Sequence, residues 1–149
     1  MGIRRAAVQD ASRLAEILIF NKRINYRDIF RDDRVSFGEM QVLPLARRYA
    51  EGGAELENIW VYDDEFVKGM IRIANEWVEE LYVDSFFQNE GIGAKLIEFA
   101  KEKCGVRYLY VLEKNTRAIR FYQAHGFALT DERKREAGTD VFAVKMARK

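Results

Sequence analysis

The chain has 149 residues, 48% of them hydrophobic and 33% charged, with a formal net charge of +1, which suits a single domain with a substantial core and gives no dense basic block for nucleic acid. A single cysteine, Cys104, and a single histidine, His125, exclude an internal disulfide, a thiolate cluster and a His-rich metal site, so no metal is expected. The apolar runs are too short for a membrane helix, and the opening residues lack the apolar stretch of a secretory signal; the expectation is no membrane association and a cytoplasmic setting.

In chain order, residues 3–8 read as a short strand. Asp10 or Ser12 then caps an amphipathic helix carrying Leu14, Ile17 and Leu18. Residues 21–35, rich in Arg and Asp, read as a helix–loop element. Ser36 precedes a second helical stretch through Tyr49, bent or restarted at Pro44 and ended by Gly52 and Gly53. Residues 58–62, 66–74 and 77–83 form three strands with short breaks, the pattern of an antiparallel meander. Ile92, Leu96, Ile97, Phe99 and Ala100 make an apolar stripe at helical spacing, stopped by Gly105. Residues 108–112 form an apolar strand expected to run parallel to 77–83. Asn115 or Thr116 caps a last helix, which Gly126 ends. Residues 127–129 and 141–146 are closing strands, with the charged stretch 131–136 as a solvated loop between them. The order β-α-α-β-β-β-α-β-α-β-β implies an α/β fold, a mixed sheet with helices on both faces.

The most informative segment is Gln88-Asn89-Glu90-Gly91-Ile92-Gly93-Ala94, which joins a strand to a helix start. Glycines let the backbone approach an anion, and the first helical N–H groups and the helix dipole favour a pyrophosphate there. A Gly-x-Gly turn alone is a weak signal. It lacks the third glycine of a dinucleotide fingerprint and the Gly-Lys-Ser/Thr of a P-loop.

A second constellation follows, running from Leu112 through Asn115, Ala118, Phe121, Tyr122 and Gly126 to Phe127. Together, Gln88-x-x-Gly91-x-Gly93 and this run resemble the acyl-CoA loop and the following helix of the GNAT N-acetyltransferase superfamily. Leu81-Tyr82-Val83 is similar to the strand end that precedes the family's loop, and the element order fits across almost the whole chain, as one N-acetyltransferase domain with a mostly antiparallel sheet. The resemblance implies acetyl-CoA as cosubstrate, held by Leu81, Tyr82 and Val83 in the manner of an added strand, by the 88–94 loop and by Asn115. It implies transfer to a primary amine, on a small molecule or a peptide, by direct attack in a ternary complex. The alternative is a catalytically silent acyl-CoA-binding sensor or interaction module. Two departures stand out. Ser85 replaces a common proline, and Glu90 places a carboxylate beside the expected pyrophosphate, where it would weaken binding at low salt unless it turns to solvent.

Direct transfer needs a neutral amine, a donor for the oxyanion and an acid for the leaving thiolate. The resemblance implies Tyr122 as the acid; without it, a tyrosine packed beside Ile119 on a helix face is the plainer reading. Asn115 combines helix capping with a cofactor contact. For the base, Glu79 shares strand parity with Trp77 and Leu81, and Glu80, pointing the other way, is the alternative; either also fits a partly exposed strand carboxylate. A backbone N–H near Leu81 or Tyr82 would serve the oxyanion, and Tyr110 could line the acceptor pocket. Cys104 reads as a small buried hydrophobe and His125 as a helix-end residue. Residues 21–49 mix Asp28, Asp32 and Asp33 with Arg27 and Arg31, so they do not choose between a cationic and an anionic acceptor. Exposed sheet edges make a homodimer the expected assembly, if one forms.

Overall fold

A computed structural model describes residues 2–149. Seven strands form one sheet in the order β1-β2-β3-β4-β5-β7-β6. They are β1 (Gly2–Arg5), β2 (Ile59–Asp64), β3 (Phe66–Ala74), β4 (Trp77–Val83), β5 (Tyr108–Leu112), β6 (Ala128–Arg135) and β7 (Phe142–Ala147). Neighbours are antiparallel, except that β4 and β5 run parallel. The helices are α1 (Ala11–Phe30), α2 (Val42–Ala50), the single turn α3 (Ala54–Glu57), α4 (Ile92–Cys104) and α5 (Thr116–Ala124). No helix among the described residues is long and apolar enough to cross a membrane.

Two apolar layers hold the sheet. On one face, Leu14, Ile17 and Leu18 of α1 and Leu45 and Tyr49 of α2 pack on Val61 and Met70. On the other, Leu96, Ile97 and Ala100 of α4 meet Ile71, Val78, Leu109, Val111, Val144 and Met146, with α5 adding Ile119, Phe121 and Tyr122 at the margin. Full burial of each such aliphatic side chain stabilises the fold by about 1.5–3 kcal/mol. α4 comes close to β3 because residue 69 is glycine: a Cβ there would lie 2.9 Å from Ile92 Cγ2 and 3.1 Å from Leu96 Cδ1.

Four elements differ from the sequence reading. β1 ends at Arg5, because the Asp10 carboxylate accepts from Ala7 N–H and from the Arg4 guanidinium and so closes a turn. α1 is continuous to Phe30, where a helix–loop element was expected; Tyr26, Ile29 and Phe30 recur at helical spacing and pack on Leu112, Val141 and Ala143. A wide π-type turn, Arg34–Glu39, then precedes α2, with Pro44 in that helix's first turn, where its missing N–H costs nothing. Finally, most of the charged stretch expected as a loop, Asp131 to Arg135, is strand: β6 runs along the sheet edge with its side chains largely exposed, and charges of this kind protect an edge from further pairing.

Candidate active site

β4 and β5 pair only at Trp77–Tyr108 and Val78–Leu109. Beyond Val78 the pairing of β3 with β4 slips, with Arg72 opposite Glu80 but Ile73 opposite Val78, so Glu79 is the extra residue of a bulge. A bulge bends its strand and increases the local twist. Leu81, Tyr82 and Val83 therefore keep β3 as neighbour on one side and have no β5 partner on the other. The two parallel strands diverge, and a cleft of about 980 Å³ opens between them, reaching from the start of α4 to the end of β6.

The turn after β4 is fixed from below. Asp84 accepts from Phe86 N–H at 2.9 Å and from Arg13 of α1 at 2.9 Å, while Arg13 also donates to the Val67 carbonyl. Asn89 (φ 67°) and Gly91 (φ 82°) then take the left-handed conformation, which Gly adopts freely and Asn more readily than most residues. They swing the chain round so that α4 starts at the cleft. Gly91 caps that helix without a side-chain hydrogen bond. The first-turn N–H groups of Ile92, Gly93 and Ala94 have no intrahelical acceptor, which fits them for an anion.

Of the residues singled out in the sequence, Glu79, Leu81, Tyr82, Val83, Gln88, Asn89, Gly91, Ile92, Gly93, Ala94, Asn115 and Tyr122 all line this cleft, as do Glu80 and Tyr110. Glu90 does not; it is exposed. Gln88 turns its amide inward, donating to Asn21 Oδ1 and to the Val83 carbonyl, both at 3.2 Å. Asn115 accepts from Ala118 N–H at 3.3 Å and so caps α5. The bulge breaks the alternation used to separate the two glutamates. Glu80 is ion-paired with Arg72 at 2.9 Å, and Glu79 is exposed in the bulge.

Asn21 is the site residue that sequence reasoning missed. It is buried, donates to the carbonyls of Ile17 and Val83 at 2.8 Å each, and receives Gln88. It thereby ties α1 to the end of β4 and to the loop. A polar residue in register with Leu14, Ile17 and Leu18 was the available signal.

Tyr122 stands at the cleft with its ring edge-on to Phe121 and Phe127, and burial pushes its phenol well above the ordinary value. Tyr82 and Tyr26 are raised by burial too, and their two phenols interact. All three phenols line the cleft, and burial favours the protonated form of each. Glu80 and Glu136 face Tyr26, and their negative charges further disfavour its phenolate.

The acetyltransferase (GNAT) domain model matches residues 55–129 of this chain, from just ahead of β2 to the start of β6. The chain belongs to the GNAT acetyltransferase family. Among solved structures, an N-acetyltransferase from Staphylococcus aureus Mu50 superposes with a TM-score of 0.76 at 15% identity, covering 98% of this chain and 99% of that one. The PaiA N-acetyltransferase from Thermoplasma acidophilum, solved with coenzyme A, superposes with a TM-score of 0.71 at 20% identity, covering 96% of each chain. At these identities the likeness is one of fold. In sequence, a spermine/spermidine N(1)-acetyltransferase of Bacillus subtilis (strain 168) is 34% identical over 77 residues, 48% of this chain and 47% of that one. The match thus spans about half the length of that curated relative.

Proposed function

We propose that this GNAT protein is an acetyl-CoA-dependent N-acetyltransferase that moves an acetyl group to a small-molecule primary amine by direct attack. One observation carries the reading: the gap between β4 and β5 joins a helix start with free first-turn N–H groups to a half-buried phenol, Tyr122, within one cleft. Residues present here fit the donor. The α4 N-terminus suits its pyrophosphate, the unpaired side of Leu81–Val83 suits the amides of its pantetheine arm, and backbone N–H groups there suit the carbonyl oxygen as it gains charge.

In this scheme the amine loses its proton to Glu79 or to water that Glu79 orders, and then attacks the thioester carbon. The backbone of Leu81 or Tyr82 holds the oxyanion. The C–S bond breaks and Tyr122 donates its proton to the departing thiolate. Tyr122 holds a proton to give at neutral pH, because burial disfavours its phenolate. Glu80 is the less apt base, since its carboxylate is already engaged by Arg72. Polyamines are the first acceptors to try, given the specificity named for the Bacillus subtilis relative.

Thermal unfolding with and without acetyl-CoA, followed by a thiol-release screen over polyamines, aminoglycosides, amino acids and peptide N-termini, tests the reading. A ligand that binds the native state raises the melting temperature. The expected result is a rise with acetyl-CoA and release with at least one amine. No shift at millimolar acetyl-CoA would overturn the reading; a shift without turnover of any amine would favour a silent binding module.

A further inference from the structure

At the acceptor end of the cleft lies an aromatic–cation stack outside the transfer chemistry. The rings of Trp77 and Tyr110 are stacked, with centroids 5.5 Å apart and planes 12° from parallel. Lys134 of β6 places its ammonium 4.2 Å from the Tyr110 centroid. Lys145 sits over Tyr108 at 4.5 Å, but Glu132 holds it at 2.7 Å. Lys134 is exposed and has no carboxylate within ion-pair distance among the described residues. Lys134, Tyr110, Glu79 and Glu136 all line the cleft.

We infer that the face of Tyr110 is a subsite for the second ammonium of a di- or polyamine acceptor, and that Lys134 is its built-in occupant, displaced when such an acceptor binds. An aromatic face attracts any ammonium, and the ring is already braced on its Trp77 side. Lys134 holds its place by that contact alone, on a flexible stem from an edge strand. An incoming ammonium gains the same face and also approaches Glu136, which lies two residues further along the same wall. A monoamine has no second charge to place there. The subsite therefore selects for amines with two separated cations.

This inference rests on the proposed acetyl transfer, and the test separates the two. Steady-state kinetics with 1,3-diaminopropane and with propylamine first establish whether any amine is turned over by the wild type. Lys134→Met is then expected to lower KM for the diamine by about two- to fivefold, the worth of an exposed cation–π contact, with a smaller change for propylamine. Tyr110→Leu is expected to raise KM for the diamine and to abolish the gain in the double variant. Calorimetric binding of the diamine to the coenzyme A complex reads the same differences without turnover. An absence of transfer with these binding differences intact would therefore count against the enzyme reading alone. Equal shifts for both amines would show a general charge effect, and a higher or unchanged diamine KM or Kd in Lys134→Met would show that Lys134 does not occupy the site; either result overturns the inference.

Discussion

At the residue scale, two side chains bear on the proposed transfer. Tyr122 is held by Phe121 and Phe127 and kept protonated by burial. Tyr122→Phe keeps the ring and removes only the hydroxyl. As the acid, its loss should lower kcat about a hundredfold or more, with little change in KM for acetyl-CoA. An unchanged kcat would remove it from the chemistry. Glu90 lies outside the cleft wall yet within the loop that starts α4. Its exposed charge would act on a pyrophosphate at the proposed site across solvent. Glu90→Lys should therefore tighten acetyl-CoA binding by about two- to fivefold at low salt, as charges near a helix start do, and the gain should fade as added salt screens it. Calorimetric titration at two ionic strengths checks this; equal affinities at low salt would show that the charge at residue 90 is not felt.

At the scale of elements, the cleft depends on how closely α4 lies against the sheet. Gly69 permits that approach, and a methyl group there would meet Ile92 and Leu96, which are themselves fully packed. Gly69→Ala should therefore destabilise by about 1–3 kcal/mol through overpacking, measured by denaturant unfolding. Because the clash falls on Ile92, at the first turn of α4, weaker acetyl-CoA binding should accompany it. This contact joins segments more than twenty residues apart, and such contacts explain what the sequence did not reveal. The stripe of Leu96, Ile97 and Ala100 and the turn at Gly91 were legible because their signals are local. The bulge at Glu79 was not, since it exists only in the register of β4 against β3. Asn21 was not, since one of its partners, Val83, lies 62 positions away. The length of α1 was hidden because its exposed Arg27 and Asp28 resemble a loop, while Tyr26 and Phe30 find their packing partners only at Leu112, Val141 and Ala143. The charged part of β6, Asp131 to Arg135, was read as loop for the same reason: an edge strand buries too little to leave an alternating pattern.

At the scale of the whole molecule, the phenols couple the site to stability. Burial raises Tyr26, Tyr49, Tyr82 and Tyr122 above their ordinary value of 10.0. In the unfolded chain they titrate near that value, so above it the unfolded state releases protons that the folded state keeps. Their stabilising effect is complete below about pH 10 and declines as pH rises further. Asp10 acts at the other end. The hydrogen bond from Arg4 holds its carboxyl below the usual value of 3.8, so its stabilisation is present above that value and is lost as pH falls through the lower folded one. Melting temperatures should thus be level near neutrality and fall on the alkaline side of about pH 10. Replacing Tyr26 by Phe should flatten the alkaline fall, and an unaltered profile would show that this phenol titrates freely.

The fold unites these scales: one bulge parts two strands, one glycine lets a helix close over the parting, and the gap between them is the cleft in which we place both substrates. Initial rates of amine-dependent thiol release across a grid of acetyl-CoA and polyamine concentrations test that arrangement most directly. Direct attack within a ternary complex requires reciprocal plots that intersect. Parallel lines, the mark of an acetylated enzyme intermediate, or no amine-dependent release at all, would contradict it.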